Sequence, residues 1–563
     1  MERSAGGVSR NGEHGKPNKK SKAKGGWNAA IFIIFVETTL RFAFYGLAGN
    51  LIVYLTTELG QGVAEAAKNV NTWVGISFLF PIFGALVADS FMGRFKTIIL
   101  SCVIYLVGTI LLTLSVSIVP THYREPVFFT GLYILAIGEG AHLPCVQTFA
   151  ADQFDESSLE EKKAKSSFFN WWFLGIVFGA SAAILIVIYV EDRVGWTAGF
   201  SITSVAIALS LGVFLVGINR YREQIPVGSP ITKMVQVFVA AARKWRIKES
   251  YGVYDKNEGF ATLLSTDQFR YFLLIKYYRY LNNATLLDDV DITSTCRRKW
   301  RLCSVNQVEE VKLVIRLIPI WLSCLMFSAA MVQIHTFFTK QASTMTRSIG
   351  AHFILPPAFL QSLVGLAIFI SVSVYDLVFV PFARKITGHP SGITVLQRIG
   401  VGLFLSILCM VISALIESKR ISTAKYCNLM DTPKVAVPIR VWWLLPQHVI
   451  SGIAEMFTIV GLQEIFYDQM PEGMRSFGAA AYMSVIGVGS FINNIIISIV
   501  QTISSKHGDK WLIDNLNRAH LDYFYWVMAG LGTLNLCIYI WISRGFVYKK
   551  VHFNSTEDEE MEL

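Results

Sequence analysis

"AAIFIIFVETTLRFAFYGLAGNLIVYL", residues Ala29 to Leu55, is a long apolar run with two charged residues, Glu37 and Arg41. It exceeds the roughly 20 residues needed to cross the hydrocarbon of a bilayer as a helix. Residues four apart share a helical face, so Glu37 and Arg41 can pair, and Tyr45 extends the same face. An ion pair inside a membrane is expensive and normally faces a polar cavity. The stretch therefore reads as a membrane-spanning helix with one face turned to a polar interior.

The rest of the chain repeats this kind of run. Its 563 residues are 53% hydrophobic and only 16% charged, with a mean hydropathy of +0.47. Soluble chains carry about a quarter charged residues. Spans are expected near Ala29–Leu55, Asn71–Ala88, Phe95–Ser117, Val127–Ala150, Phe169–Val190 and Thr197–Ile218. After a polar stretch, six more follow near Val311–Phe338, Pro356–Phe382, Thr394–Ile416, Val441–Tyr467, Phe477–Ile503 and Asp522–Ser543. The layout is a basic tail (1–26), a six-helix bundle (27–218), a linker (219–310), a second bundle (311–548) and an acidic tail (549–563).

An even number of spans puts both tails on one side. The Lys/Arg clusters "GRFK" (Gly93–Lys96), "EKKAK" (Glu161–Lys165) and "FARK" (Phe382–Lys385) mark that side as cytosolic. One segment disagrees: "ESKRISTAKYCNLMDTPKVAVPIR", from Glu417 to Arg440, is basic yet falls outside. The first run is too long for a signal peptide and lacks a cleavage site. The net charge of +10 sits in tails and loops, which topology explains better than nucleic-acid binding. The eight cysteines lack metal-ligand spacing. With no nucleophile–base set or phosphate loop either, no enzyme activity, metal or cofactor is expected. In the linker, Ile231, Met234, Val235, Phe238, Val239 and Ala242 form one helical stripe with basic residues at its end. Such a helix either lies on the inner leaflet or packs on the protein itself.

Twelve spans in two halves suggest a major facilitator arrangement, with substrate bound between the halves near the midplane. The loop holding Asp89 and Arg94 supports this, since a charge pair at that spacing can lock two helices and act as a gate. "ADQFDE" (Ala151–Glu156), "FNWWFLG" (Phe169–Gly175), "GSPIT" (Gly228–Thr232), "VEEVKLVIRLIPIW" (Val308–Trp321), "TGHPSGITVLQRIG" (Thr387–Gly400), "FYDQMPEGMRS" (Phe466–Ser476) and "NLNRAHLDYFYW" (Asn515–Trp526) carry a more specific likeness. The chain resembles the plant nitrate/peptide transporter family, a branch of the proton-dependent oligopeptide transporters, from about Glu37 to Trp526. That resemblance implies an all-α membrane protein of twelve helices that moves small solutes, usually with protons, across the plasma membrane or an internal membrane such as the vacuole.

Against the family's Glu-x-x-Glu-Arg/Lys pattern, Glu37 and Arg41 are kept and Leu40 replaces the second acid. Leu143, in "GEGAHLPC" (Gly138–Cys145), replaces the family's lysine on the fourth span. Losing one partner of a buried pair strands a charge, whereas losing both can be nearly neutral, so the two leucines read as one coordinated change. Glu139 and His142 neighbour Leu143 on the fourth span and can carry a proton near neutral pH. The bland alternative puts Glu139 near outer water and bonds His142 to a backbone carbonyl. Gln333 and His335 on the seventh span are cavity candidates, and Met331 stands where a nitrate-carrying relative has histidine. Glu464 matches the family's second-half carboxylate, and Glu455 is expected to serve packing. Asp376 is followed by Leu377 where arginine is usual, which weakens the inner gate. Thr97, three residues after Arg94, is a candidate kinase site. Altered or relocated proton coupling for a small polar or zwitterionic solute is the leading reading. The alternatives are a nitrate or di/tripeptide symporter and a non-transporting receptor.

Overall fold

The computed structural model describes residues 25–154, 159–223, 230–245, 278–287, 300–350, 353–388, 392–470, 475–506 and 510–546. Residues 1–24 of the basic tail and the whole acidic tail lie outside these residues. The first half comprises α1 (Trp27–Thr57), α2 (Val63–Val87), α3 (Arg94–Ser117), α4 (Thr121–Ala151), α5 (Leu159–Arg193) and α6 (Trp196–Val216). A linker helix, α7 (Pro230–Arg243), precedes the second half. That half contains α8 (Val305–Ser323), α9 (Leu325–Met331), α10 (Phe337–Ser343), α11 (Gln361–Val374), α12 (Val380–Thr387), α13 (Val395–Tyr426), α14 (Leu445–Gln469), α15 (Arg475–Lys506) and α16 (Leu521–Arg544). Among the described residues, eleven helices are long and apolar enough to cross a membrane, and the pair Val305–Ser323 and Leu325–Ser343, bent by 41°, makes twelve when taken as one span. Following the Lys/Arg asymmetry, the ends are called inner and outer.

Among the described helices, α8 is capped by the Ser304 side chain and α13 by Thr394. Thr394 and Gln397 form a reciprocal capping box at the start of α13. The same helix continues to Tyr426 and so absorbs much of the basic segment that conflicted with topology. Arg420 is fully buried there, 2.7 Å from Glu417, and bonds Asn517. A neutralised, buried arginine carries no topological weight. Outside the bundle, Met345–Thr346 pairs in parallel with Val437–Arg440, and Ser348–Ile349 pairs antiparallel with Phe353–Ile354.

Helices in lipid gain little from hydrophobicity toward each other, so close packing relies on small residues. A side chain at Gly84 would lie 2.6 Å from the Ala141 Cα. One at Gly179 would lie 2.2 Å from the Thr38 carbonyl. Large apolar residues such as Phe83, Phe91, Leu209 and Trp541 remain exposed on the outside, where lipid covers them. The halves also repeat a local device. Single π-turns at Ala88–Met92 and Tyr375–Phe379 continue α2 and α11, and place Asp89 and Asp376 at equivalent points. Such turns are rare and mark functional positions.

The linker helix resolves the alternative left open by its sequence. Val237, Ala240 and Ala241 pack on Leu281, Ala284, Cys303, Val308 and Val311, so α7 is docked on the protein. The expected stripe is offset from the docked face: Val235 and Phe238 are exposed and Met234 is partly covered.

Candidate transport site

The site begins with how α4 is hemmed in. A side chain at Gly138 would lie 2.8 Å from the Tyr105 nitrogen on α3, and one at Gly140 would lie 2.1 Å from the Phe80 Cβ on α2. The glycines let both neighbours close on α4, and Glu139 between them is turned toward α1. Arg41 lies there with its Nη2 2.5 Å from Glu139 Oε1 and its Nε 3.0 Å from Glu37 Oε1. His142 completes the cluster, its Nε2 3.4 Å from Glu37 Oε2. Glu37, Arg41, Glu139 and His142 are all buried. Glu139 is therefore not near outer water, and His142 faces a carboxylate.

The charges explain why Leu40 and Leu143 do not leave the site broken. Leu40 is fully buried in the apolar core and Leu143 packs against it. Where the acid is missing at Leu40, Arg41 is met instead by Glu139, which reaches it from another helix. Two carboxylates and one guanidinium sum to −1 when His142 is neutral, so one added proton neutralises the cluster. Uncompensated charge in a buried site is costly. Glu139 Oε2 has no hydrogen-bond partner among the described residues.

The second half faces this cluster across the interior. Tyr45 lies 6.4 Å from the His335 ring, measured between centroids. Tyr482 on α15 is within electrostatic reach of Arg41 and Glu37. A short 3₁₀ turn, Val332–His335, interrupts the bent seventh span and presents His335. Gln333 is committed elsewhere: its amide donates to Asn493 Oδ1 (2.9 Å) and to the Ala329 carbonyl (3.2 Å). Met331 is buried.

Glu464 and Glu455 lie on different faces of one helix. Nine residues are two and a half helical turns, so the two carboxylates point to opposite sides of α14. Glu455 is within electrostatic reach of Tyr45. Glu464 is about one-third exposed near the inner end, where Arg398 Nη1 meets its Oε2 at 3.2 Å. The spacing could have revealed this, because only one of the two can face the interior.

The inner ends carry charge locks within each half. Arg94 pairs with both Asp89 (3.6 Å to its Nε) and Asp152. In the second half Arg398 binds Glu464 and sits over the Tyr375 ring at 4.5 Å. Asp376 and Leu377 are exposed, so the second half's inner-end ion pair is made by Arg398 with Glu464 and does not involve Asp376. Thr97 is buried and its hydroxyl donates to the Gly93 carbonyl, which keeps it from a kinase while α3 is folded. At the outer ends the halves are tied together. Val63 N–H donates to Asp514 (2.9 Å), Lys68 to Gln501 (2.7 Å), Asn71 to Asn494 (2.8 Å) and Lys340 to Thr56 (3.0 Å).

Two six-helix halves closed at the outer end around a buried charge cluster define a secondary transporter of the major facilitator kind. The sequence model of the POT family matches residues 95–513. The Arabidopsis thaliana protein NRT1/PTR FAMILY 5.4 is 54% identical over 546 residues, covering 96% of this chain and 98% of that protein. NRT1/PTR FAMILY 5.10 of the same plant is 43% identical over 553 residues, 95% of each chain. A solved auto-inhibited POT family peptide transporter matches with a TM-score of 0.69 at 20% identity, over 94% of this chain and 99% of that one. A POT family transporter solved with 5-aminolevulinic acid matches with a TM-score of 0.63 at 14% identity, over 92% and 97%. The chain belongs to the POT family, and it is a multi-pass membrane transporter.

Proposed function

We propose that this transporter couples solute movement to protons through the Glu37–Arg41–Glu139–His142 cluster, and that its substrate is a small zwitterion or amine-bearing metabolite. The observation that carries the reading is the sharing of Arg41 by two carboxylates, one of which also meets His142. One proton neutralises the cluster, and its release leaves a net charge that favours rearrangement of Arg41. Tyr45, His335 and Glu455 line the path between the halves, where Glu455 supplies a carboxyl oxygen as acceptor for a substrate amine. The 5-aminolevulinic acid held by a structural relative is a solute of this kind. Arg398 with Glu464, and Arg94 with Asp89 and Asp152, serve as inner gates.

The test is flux in proteoliposomes of purified protein, screened over amino acids, 5-aminolevulinic acid, Ala-Ala and nitrate, with and without an imposed pH gradient. Amine-bearing solute should follow the gradient. Glu139→Gln should keep exchange while losing the response to the gradient, and Glu455→Gln should weaken uptake of amines most. Gradient-driven flux that survives Glu139→Gln would remove the cluster from the coupling step. Nitrate as the sole solute would favour the symporter alternative, and no flux at all the receptor reading.

A further inference from the structure

One side chain in the second half touches both the interior and the opposite half. Gln361, at the start of α11, is 5% exposed. Its Nε2 donates to the Gly49 carbonyl on α1 (3.0 Å) and to Thr339 Oγ1 (2.6 Å). Its Oε1 lies 3.0 Å from His335 Nδ1. The first contact crosses between the halves at the outer seam, and the last belongs to a side chain of the solute path.

The chemistry of these partners fixes every proton. A backbone carbonyl can only accept, so the Gln361 nitrogen must face Gly49 and the oxygen must face His335. Thr339 agrees, because its hydroxyl donates to the Ile334 carbonyl (2.9 Å) and its oxygen remains to accept from Gln361. His335 Nδ1 must then be the donor. In a neutral imidazole this leaves Nε2 as a free acceptor. His335 is partly open and its ring neighbours Tyr45. A side chain at Gly49 would lie 3.5 Å from Gln361 Oε1 and only 2.6 Å from Ile188 Cδ1 on α5.

We propose that Gln361 is a positioning residue that links the two: it holds His335 as the Nδ1–H tautomer while clasping α1, so that opening the outer gate releases the tautomer lock. When Gly49 moves away, only the Thr339 oxygen still fixes the amide's orientation, so the amide turns over by breaking one acceptor contact instead of two. His335 is then no longer held to a single tautomer toward the solute. The position of the outer gate is thereby written into the hydrogen-bonding character of the solute path. The inference rests on the reading that His335 lines that path, although neither measurement below needs a known solute.

The first test is solid-state ¹⁵N spectroscopy of the full chain in proteoliposomes with ¹⁵N-labelled histidine, the His335 signals being identified by difference against His335→Gln. A neutral His335 with protonated Nδ1 and bare Nε2 is expected, and the opposite tautomer would overturn the proposal. The second uses a membrane-impermeant maleimide and, in a Cys427→Ser background because Cys427 is exposed, a Thr72→Cys reporter at the outer seam, where the Thr72 hydroxyl accepts from Asn494 (2.9 Å). Gln361→Glu keeps an acceptor for His335 but cannot donate to Gly49. It should raise labelling several-fold over the parent while the His335 tautomer persists. Gln361→Met should raise labelling and also mix the tautomers. Labelling unchanged in both variants would remove Gln361 from the gate. Because no solute is added, failure here is distinct from failure of the transport assays above.

Discussion

At the scale of single residues, the departures from the family pattern are best judged by what surrounds them. Leu40 sits where an acid is usual, yet it is fully buried among apolar side chains. Restoring glutamate there would add a third carboxylate beside a cluster that already has one cation for two acids. An unpaired buried charge costs about 3–5 kcal/mol. Leu40→Glu should therefore lower the unfolding temperature of the purified protein sharply, and adding Leu143→Lys should recover part of the loss. The measurement is a thermal scan of single and double variants. Equal stability of Leu40→Glu and the parent would show that the side chain escapes to water. This site was half legible in sequence. Glu37, Arg41, Glu139 and His142 could each be named from spacing along one helix, but their meeting is a contact between α1 and α4, ninety-eight positions apart at Arg41 and Glu139. Glu455 and Glu464 show the opposite failure, because matching a motif position outweighed the half-turn that separates the two faces.

At the scale of elements, the spans were legible because hydrocarbon admits little except long apolar helices. Their ends were less so: α13 begins where expected, after Thr394, but runs past Ile416 to Tyr426 through polar sequence. The break after Ser323 was also hidden, as nothing in "LIPIWLSCLMFSAAM" stops being apolar for long enough to signal a bend. The glycines of α4 were quoted as a motif, but their use only shows in three dimensions. Gly140→Leu should force α2 and α4 apart, because its Cβ would meet the Phe80 Cβ at 2.1 Å. Overpacking typically costs about 1–3 kcal/mol, and here it also displaces Glu139 from Arg41. Gly530→Leu on α16 is the control, since nothing lies within 4 Å of its Cβ position. Thermal stability and pH-driven flux should both fall in the first variant and hold in the second.

At the scale of the whole molecule, alternating access requires bonds that exist in one state only. The N-terminus of α2 supplies such a bond at the outer seam. Gly62 precedes it and offers no side chain to cap the free amides, so the Val63 N–H is met by Asp514 from the other half. A carboxylate at a helix N-terminus is favoured by the helix dipole as well as by the hydrogen bond. Hydrogen bonds to charged groups are worth about 1.5–3 kcal/mol. When the outer gate opens, water takes over the amide, so this energy counts toward the closed state alone. A ligand or mutation shifts a two-state balance only by such a difference, and each 1.4 kcal/mol is about tenfold. Asp514→Ala should therefore raise the outward-open population by roughly ten- to a hundredfold on that scale. The check is the rate at which a membrane-impermeant maleimide labels a Thr72→Cys reporter in the Cys427→Ser background. Asp514→Asn keeps an oxygen for Val63 and should fall between the parent and the alanine variant. If all three label alike, the seam is held by the Lys68–Gln501 and Asn71–Asn494 contacts instead, and the cap from the opposite half contributes nothing to the transport cycle.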